Sequence, residues 1–134
     1  MDYNKLKQLR DGEYFGNMLG LKHIEVREGY ASTELKVKRE FINLQNTIHG
    51  GILLTLADVT GGTAACSYGN IVATVDNSYH FLRAREDIRM LRAEAKVIRA
   101  GRRLIVTEVL VSDEAGTLLG QGIFTYMPLD MPIA

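Results

Sequence analysis

Apolar and polar positions alternate along most of this chain, and the alternation gives way once, to a stretch with no polar side. From Ile52 the sequence ILLTLADVTGGTAACSY is apolar in every direction of a helical projection, the pattern of a buried helix, and Gly69-Asn70 stops it. Elsewhere the period is two. Ala31, Thr33, Leu35 and Val37 alternate with Ser32, Glu34, Lys36 and Lys38, which predicts a half-buried strand. Glu28-Gly29 turns it back on a strand beginning at 23–26. Further strands are predicted over 71–82, 88–99, 104–112 and 118–127, the last three joined as short antiparallel hairpins by Ala100-Gly101 and by the turn at 113–116. Residues 2–10 can form a short helix with Leu6 and Leu9 on one side, after which Gly12, Gly16 and Gly20 break the pattern. Residues 39–48 are an irregular approach to the long helix, the kind of loop that often carries functional side chains. Pro128 and Pro132 are expected to close the sheet. One apolar helix and about six strands make a single α+β domain over residues 1–134, with the sheet packed on the helix.

Composition narrows the class. A chain of 134 residues with 46% hydrophobic content can bury one core. Sixteen basic and sixteen acidic residues cancel, which argues against a general nucleic-acid binder. The single cysteine, Cys66, lies inside the apolar helix and reads as an inert core residue of a reducing compartment. The start, MDYNKLKQLRDGEYF, is too polar for a signal peptide. No apolar run approaches the ~20 residues of a membrane span, so a soluble cytoplasmic protein with no membrane partner is expected.

One ionisable residue, Asp58, stands in the middle of the apolar helix. An unpaired charge is expensive there, and a partly desolvated carboxylate suits a general base or a nucleophile. The plainer reading is a structural carboxylate that caps a loop or pairs with an arginine. Gly50-Gly51 follows His49 at the helix start, where free N–H groups and the positive dipole end favour a developing negative charge. Gly61-Gly62 lies inside the helix, where each glycine costs ~1 kcal/mol relative to alanine; a strand or a substrate must pass close by. His49 and Asp58 are nine residues apart, roughly 180° round and ~13 Å along a straight helix. One chain cannot easily aim both at the same atom. If both are functional, the simplest arrangement is a site shared by two chains, hence an obligate dimer.

Asn43, then His49-Gly50-Gly51, then Asp58 in LADVTGG, resemble the hotdog-fold acyl-CoA thioesterases of the phenylacetate-degradation (PaaI-like) type, and the likeness continues through TVDNSYHFLRA at 74–84 and the later strands. The resemblance implies a hotdog fold, an antiparallel sheet of about six strands wrapped around one long central helix. It implies hydrolysis of an acyl-CoA thioester by a homodimer with sites at the interface, assembled as a dimer of dimers. In that reading Asp58 is the general base or nucleophile, and the Gly50 N–H holds the thioester carbonyl and its oxyanion. Asn43 matches the family asparagine that positions the attacking water or the carboxylate, although Asn46 is close by, and capping or turn formation would explain either. His49 falls where the family histidine orders the loop or contacts the thioester; a lone histidine near a helix start is often purely structural. Thr74 falls where relatives carry a serine or threonine that binds water near the carboxylate, and is otherwise an ordinary strand residue.

Seven arginines lie between positions 83 and 103, and arginine is the natural bidentate partner of coenzyme A phosphates. Arg83, Arg102 and Arg103 are the candidates, although any single one is more simply a solvated surface residue. No clustered ligand set has metal spacing, no serine nucleophile motif is visible, and no cofactor is expected, coenzyme A being part of the substrate. Tyr68, Tyr79 and Phe81 either line the acyl pocket or are ordinary core. The rival readings are a hotdog acyl-thioester dehydratase or hydratase, whose histidine motif this chain lacks, and a non-catalytic acyl-CoA-binding protein.

Overall fold

In the computed structural model, which describes residues 1–133, the chain runs α1 (Tyr3–Asp11), α2 (Tyr14–Leu19), β1 (Lys22–Arg27), β2 (Tyr30–Lys36), α3 (Gly50–Cys66), β3 (Asn70–Phe81), β4 (Met90–Ala100), β5 (Ile105–Asp113) and β6 (Leu118–Pro132), with a short 3-10 turn at Arg39–Phe41 before α3. The strands form one antiparallel sheet in the order β1-β2-β4-β5-β6-β3. The expected period-two faces meet the helix. Ala31, Thr33 and Leu35 of β2, Leu91, Ala93 and Ala95 of β4, and Val109, Val111 and Phe124 further along are buried against Leu53, Leu56, Ala57, Ala64 and Ala65 of α3. One polar pair crosses this core, Thr33 Oγ1 to Thr60 Oγ1 at 2.6 Å, so neither buried hydroxyl lacks a partner.

All six strands touch α3. Six strands laid flat would span roughly 24 Å at their usual spacing, wider than one helix of about 10 Å, so the sheet must curl round it. This is the hotdog architecture expected from the motif.

The structure corrects the pattern in four places. Residues from Thr60 to Cys66 are buried all round, but Ile52, Leu54, Thr55, Asp58 and Val59 are half-exposed. The curled sheet covers only one side of the first half of α3. Gly16, expected to break structure, is instead the buried centre of α2, which ends at Gly20 in the left-handed region (φ 89°); only Leu6 of the expected pair is buried, Leu9 being exposed. The last strand does not stop at Pro128: it pairs on, Val72 with Pro128 and Asn70 with Pro132. β5 pairs with β6 only as far as Tyr126, so beyond that point β6 has an open side where a missing N–H is tolerated.

β3 is the other notable edge. It pairs with β6 alone, is 12 residues long, and leaves Val75 and Phe81 more than half exposed.

Candidate active site

Asp58 lies on the half-exposed side of α3, three residues before the glycine pair. Two hydroxyls from the sheet converge on it. Thr74 Oγ1 of β3 donates to Asp58 Oδ1 at 2.9 Å. The Tyr126 hydroxyl of β6 lies 2.8 Å from the Asp58 main-chain oxygen and 3.1 Å from Oδ1, one proton shared between two acceptors. Burial, and then the neighbouring Asp58 carboxylate, push the Tyr126 phenol far above the ordinary range, so it stays a donor. No arginine or lysine is within ion-pair reach of Asp58 among the described residues. The plain reading of Asp58 as half of an ion pair is therefore not what the chain adopts.

Sequence reasoning brought Asp58 and Thr74 together but missed Tyr126. The signal was present in Gly61: a Cβ there would collide with the Tyr126 hydroxyl and press on Thr107 Oγ1 (3.0 Å) and Val109 (3.1 Å). What passes close to the helix at that glycine is a strand side chain.

The start of α3 is organised by His49. Its Nδ1 accepts from the Gly51 N–H at 2.9 Å and caps the helix, which leaves Nε2 as the outward nitrogen. Among the described residues nothing accepts from the Gly50 N–H, so that donor is free at the positive end of the helix dipole. Phe81 lies against Gly50, its ring 3.1 Å from where a Cβ would be. Asn43 Oδ1 accepts from the N–H groups of Gln45 (2.9 Å) and Thr47 (3.1 Å) and from the Thr47 hydroxyl, a turn that shapes the loop entering the helix. Asn46 takes a left-handed conformation (φ 63°) and donates to Glu86 Oε1, tying this loop to the one after β3.

Between these loops is a cavity of about 270 Å³, with Gly50 and Asn43 on one wall, an apolar lining that includes Leu53, Phe81 and Leu119, and Arg83 and Arg85 at its rim. Arg85 is held from behind, its Nη2 being 3.3 Å from Oδ2 of the fully buried Asp113. Arg102 is elsewhere: it borders a second cavity with Ala65 and Tyr68 at the other end of α3, and Arg103 is exposed on the same turn. The 11 residues of β4 separate this end from the Arg83 loop, roughly 35 Å at strand rise. Of the aromatics, Phe81 lines the first cavity and Tyr68 the second, whereas Tyr79 lines neither.

Within one chain the Gly50 amide and the Asp58 carboxylate stand apart. Gly50 and Asp58 are eight residues apart on α3, about 12 Å along the axis. One thioester cannot touch both.

Comparison with known proteins follows the same lines. Residues 45–119 match the thioesterase superfamily. An inferred esterase of Archaeoglobus fulgidus is 32% identical over 76% of this chain, and the match spans 66% of that protein's length. The Escherichia coli PaaI protein of the phenylacetic acid degradation operon superposes with a TM-score of 0.90 at 22% identity, covering 98% of this chain and 99% of its own. A hypothetical thioesterase of Streptococcus pneumoniae, solved with coenzyme A, superposes with a TM-score of 0.79 at 24% identity over 84% of this chain and 88% of its own. No helix among the described residues is long and apolar enough to cross a membrane. With more than half of its length matched, this chain belongs to the thioesterase superfamily, and its hotdog fold is that of the PaaI protein on which it superposes.

Proposed function

We propose that this protein hydrolyses acyl-CoA thioesters at sites shared by two protomers, the Asp58 carboxylate of one facing the Gly50 N–H of the other. The observation that carries the reading is the pair of complementary half-sites on one helix. Asp58 is an accessible carboxylate held by hydroxyls rather than neutralised by a cation, and Gly50 offers an unclaimed amide beside an apolar cavity. The free edge of β3 supports the dimer: a long, exposed edge strand is a ready surface for pairing with a second copy. Two α3 helices brought together antiparallel across such an edge would set each mid-helix acid near the other's first turn.

In the mechanism, the thioester carbonyl docks on the Gly50 N–H, whose fixed dipole stabilises the oxyanion. Asp58 then either takes a proton from water as that water attacks the carbonyl, or attacks it directly to give an anhydride that water opens. The carbon–sulfur bond breaks and the thiolate of coenzyme A leaves. Thr74 holds the acid, Asn43 has its amide NH2 left to steer water, and His49 sets the shape of the amide donor. Arg83 stands at the rim where a phosphate of coenzyme A would lie, and the coenzyme-bound likeness from Streptococcus pneumoniae supports that substrate class. Arg102 and Arg103 could reach the same nucleotide only across a subunit boundary. A lone buried cysteine is in keeping with the reducing interior in which a cytoplasmic enzyme would work.

Hydrolysis of acetyl-, hexanoyl-, decanoyl-, benzoyl- and phenylacetyl-CoA by the native protein and by Asp58→Ala tests this. Turnover of at least one ester, lost in Asp58→Ala while the oligomer persists, is the expected result. Full activity in Asp58→Ala would reject the assignment.

A further inference from the structure

We infer that Tyr126 is a positioning residue for the reacting acid: together with Thr74 it pins Asp58 Oδ1 and leaves Oδ2 as the oxygen that meets water or the thioester. This rests on Asp58 being the acid of the preceding section. Three separate features of the fold carry it.

The Tyr126 hydroxyl bridges the main-chain oxygen of Asp58 and its carboxylate. A free aspartate on a half-exposed helix surface samples several staggered rotamers. A donor that touches both the backbone and the carboxylate of one residue selects a single one, and well-oriented reacting groups are a large part of catalysis. Thr74 adds a second donor to the same oxygen from a different strand. Among the described residues no side chain donates to Oδ2. The two carboxylate oxygens are therefore unequal before any substrate arrives.

The third feature is the glycine that makes room. Any side chain at Gly61 would occupy the place of the Tyr126 hydroxyl, yet a helix interior disfavours glycine. The neighbouring Gly62 plays a lesser part, with Arg10 Nη2 3.1 Å and the Tyr126 ring 3.4 Å from where its Cβ would be. The tyrosine itself is anchored, buried to 1% exposure and stacked on Phe124. A helix glycine, a buried tyrosine and a strand threonine thus converge on one oxygen of one carboxylate. Apolar packing alone would be served as well by phenylalanine, whose ring has the same shape.

The test is Tyr126→Phe, assayed with whichever of the five CoA esters the native protein turns over fastest. The expected result is a kcat lower by about tenfold or more with KM within about twofold, because the ester is bound as before but the acid is misaligned. Native kcat in Tyr126→Phe would overturn the inference. If Asp58→Ala abolishes turnover in the same assay, that failure leaves the acid assignment standing; if Asp58→Ala is fully active, the acid assignment itself has failed. Gly61→Ala serves as the second variant. It should reproduce the kcat loss by displacing the hydroxyl, and native kcat in that variant, with the fold retained, would likewise overturn the inference.

Discussion

His23 and Asp11 are joined twice: the imidazole Nδ1 and the main-chain N–H of His23 both reach Asp11 Oδ1, at 2.7 and 2.8 Å. The far ring nitrogen meets Thr63 Oγ1 at 2.7 Å, and Arg10 Nε reaches the same hydroxyl at 2.9 Å. This set, with His23 and Thr63 buried at its centre, fastens α1 and β1 to the second half of α3.

Stability should therefore depend on pH through His23. Burial lowers its pKa, and this outweighs the upward pull of Asp11; Arg10 also lowers it and Glu13 raises it. The folded state thus binds the His23 proton more weakly than the unfolded chain does. The stabilisation is complete above the unfolded value of about 6.5 and is lost as pH falls below it toward the folded pKa. Urea midpoints measured at pH 7.5 and 5.5 should differ, the lower pH giving the lower midpoint, and His23→Gln should reduce that difference.

Tyr79→Phe should stabilise the fold. The Tyr79 hydroxyl is buried with no hydrogen-bond partner among the described residues, and burial pushes its pKa up to about 12. A buried orphan of this kind costs about 1–3 kcal/mol, so removing it should raise the thermal midpoint. Gly122→Ala should act the other way. Its Cβ would stand 2.8 Å from the Tyr79 ring, 2.9 Å from Phe124 and 3.0 Å from the Ser78 oxygen, overpacking that costs about 1–3 kcal/mol. Differential scanning calorimetry distinguishes the two signs.

Asp113→Ala should destabilise by about 2–4 kcal/mol. Asp113 Oδ1 accepts from the N–H groups of Ala115 and Thr117, both at 2.9 Å, while Oδ2 faces Arg85. Asp113→Asn can keep the turn bonds and loses mainly the charge, so its urea midpoint should fall less.

Arg83→Ala should raise KM for the CoA ester about tenfold, and leave KM for the matching N-acetylcysteamine thioester unchanged, because the truncated substrate has no phosphates to lose. Equal effects on both esters would remove Arg83 from nucleotide binding.

Much of this was legible in the residues. The alternation of Ala31, Thr33 and Leu35 is a local property, and it located a buried strand face without tertiary information. Asp58 stood out because one carboxylate in an apolar helix is visible in any projection. Tyr126 did not, because a tyrosine in a strand pattern looks like core, and its link to Asp58 spans 68 residues. Gly61 signalled a close approach but could not name what approached. The same limit applied to Pro128, since whether a strand can carry a proline depends on where its neighbour ends, which only sheet order reveals. Arg83 and Arg102 could be singled out by charge, but not that a strand's length keeps them apart.

The eight-residue spacing of Gly50 and Asp58 makes subunit complementation possible. Gly50 is the first residue of α3, and His49 before it is extended (ψ 132°), a setting that accepts proline. Gly50→Pro thus deletes the amide hydrogen with little strain on the helix, provided that Phe81 yields slightly, and should cost about a hundredfold to a thousandfold in kcat. Gly50→Pro and Asp58→Ala homodimers would each be inactive. Co-expressed, they should form hybrids in which, on the proposed shared site, one cleft inherits both lesions and the other inherits neither, so two dead parents would give offspring with one working cleft of two.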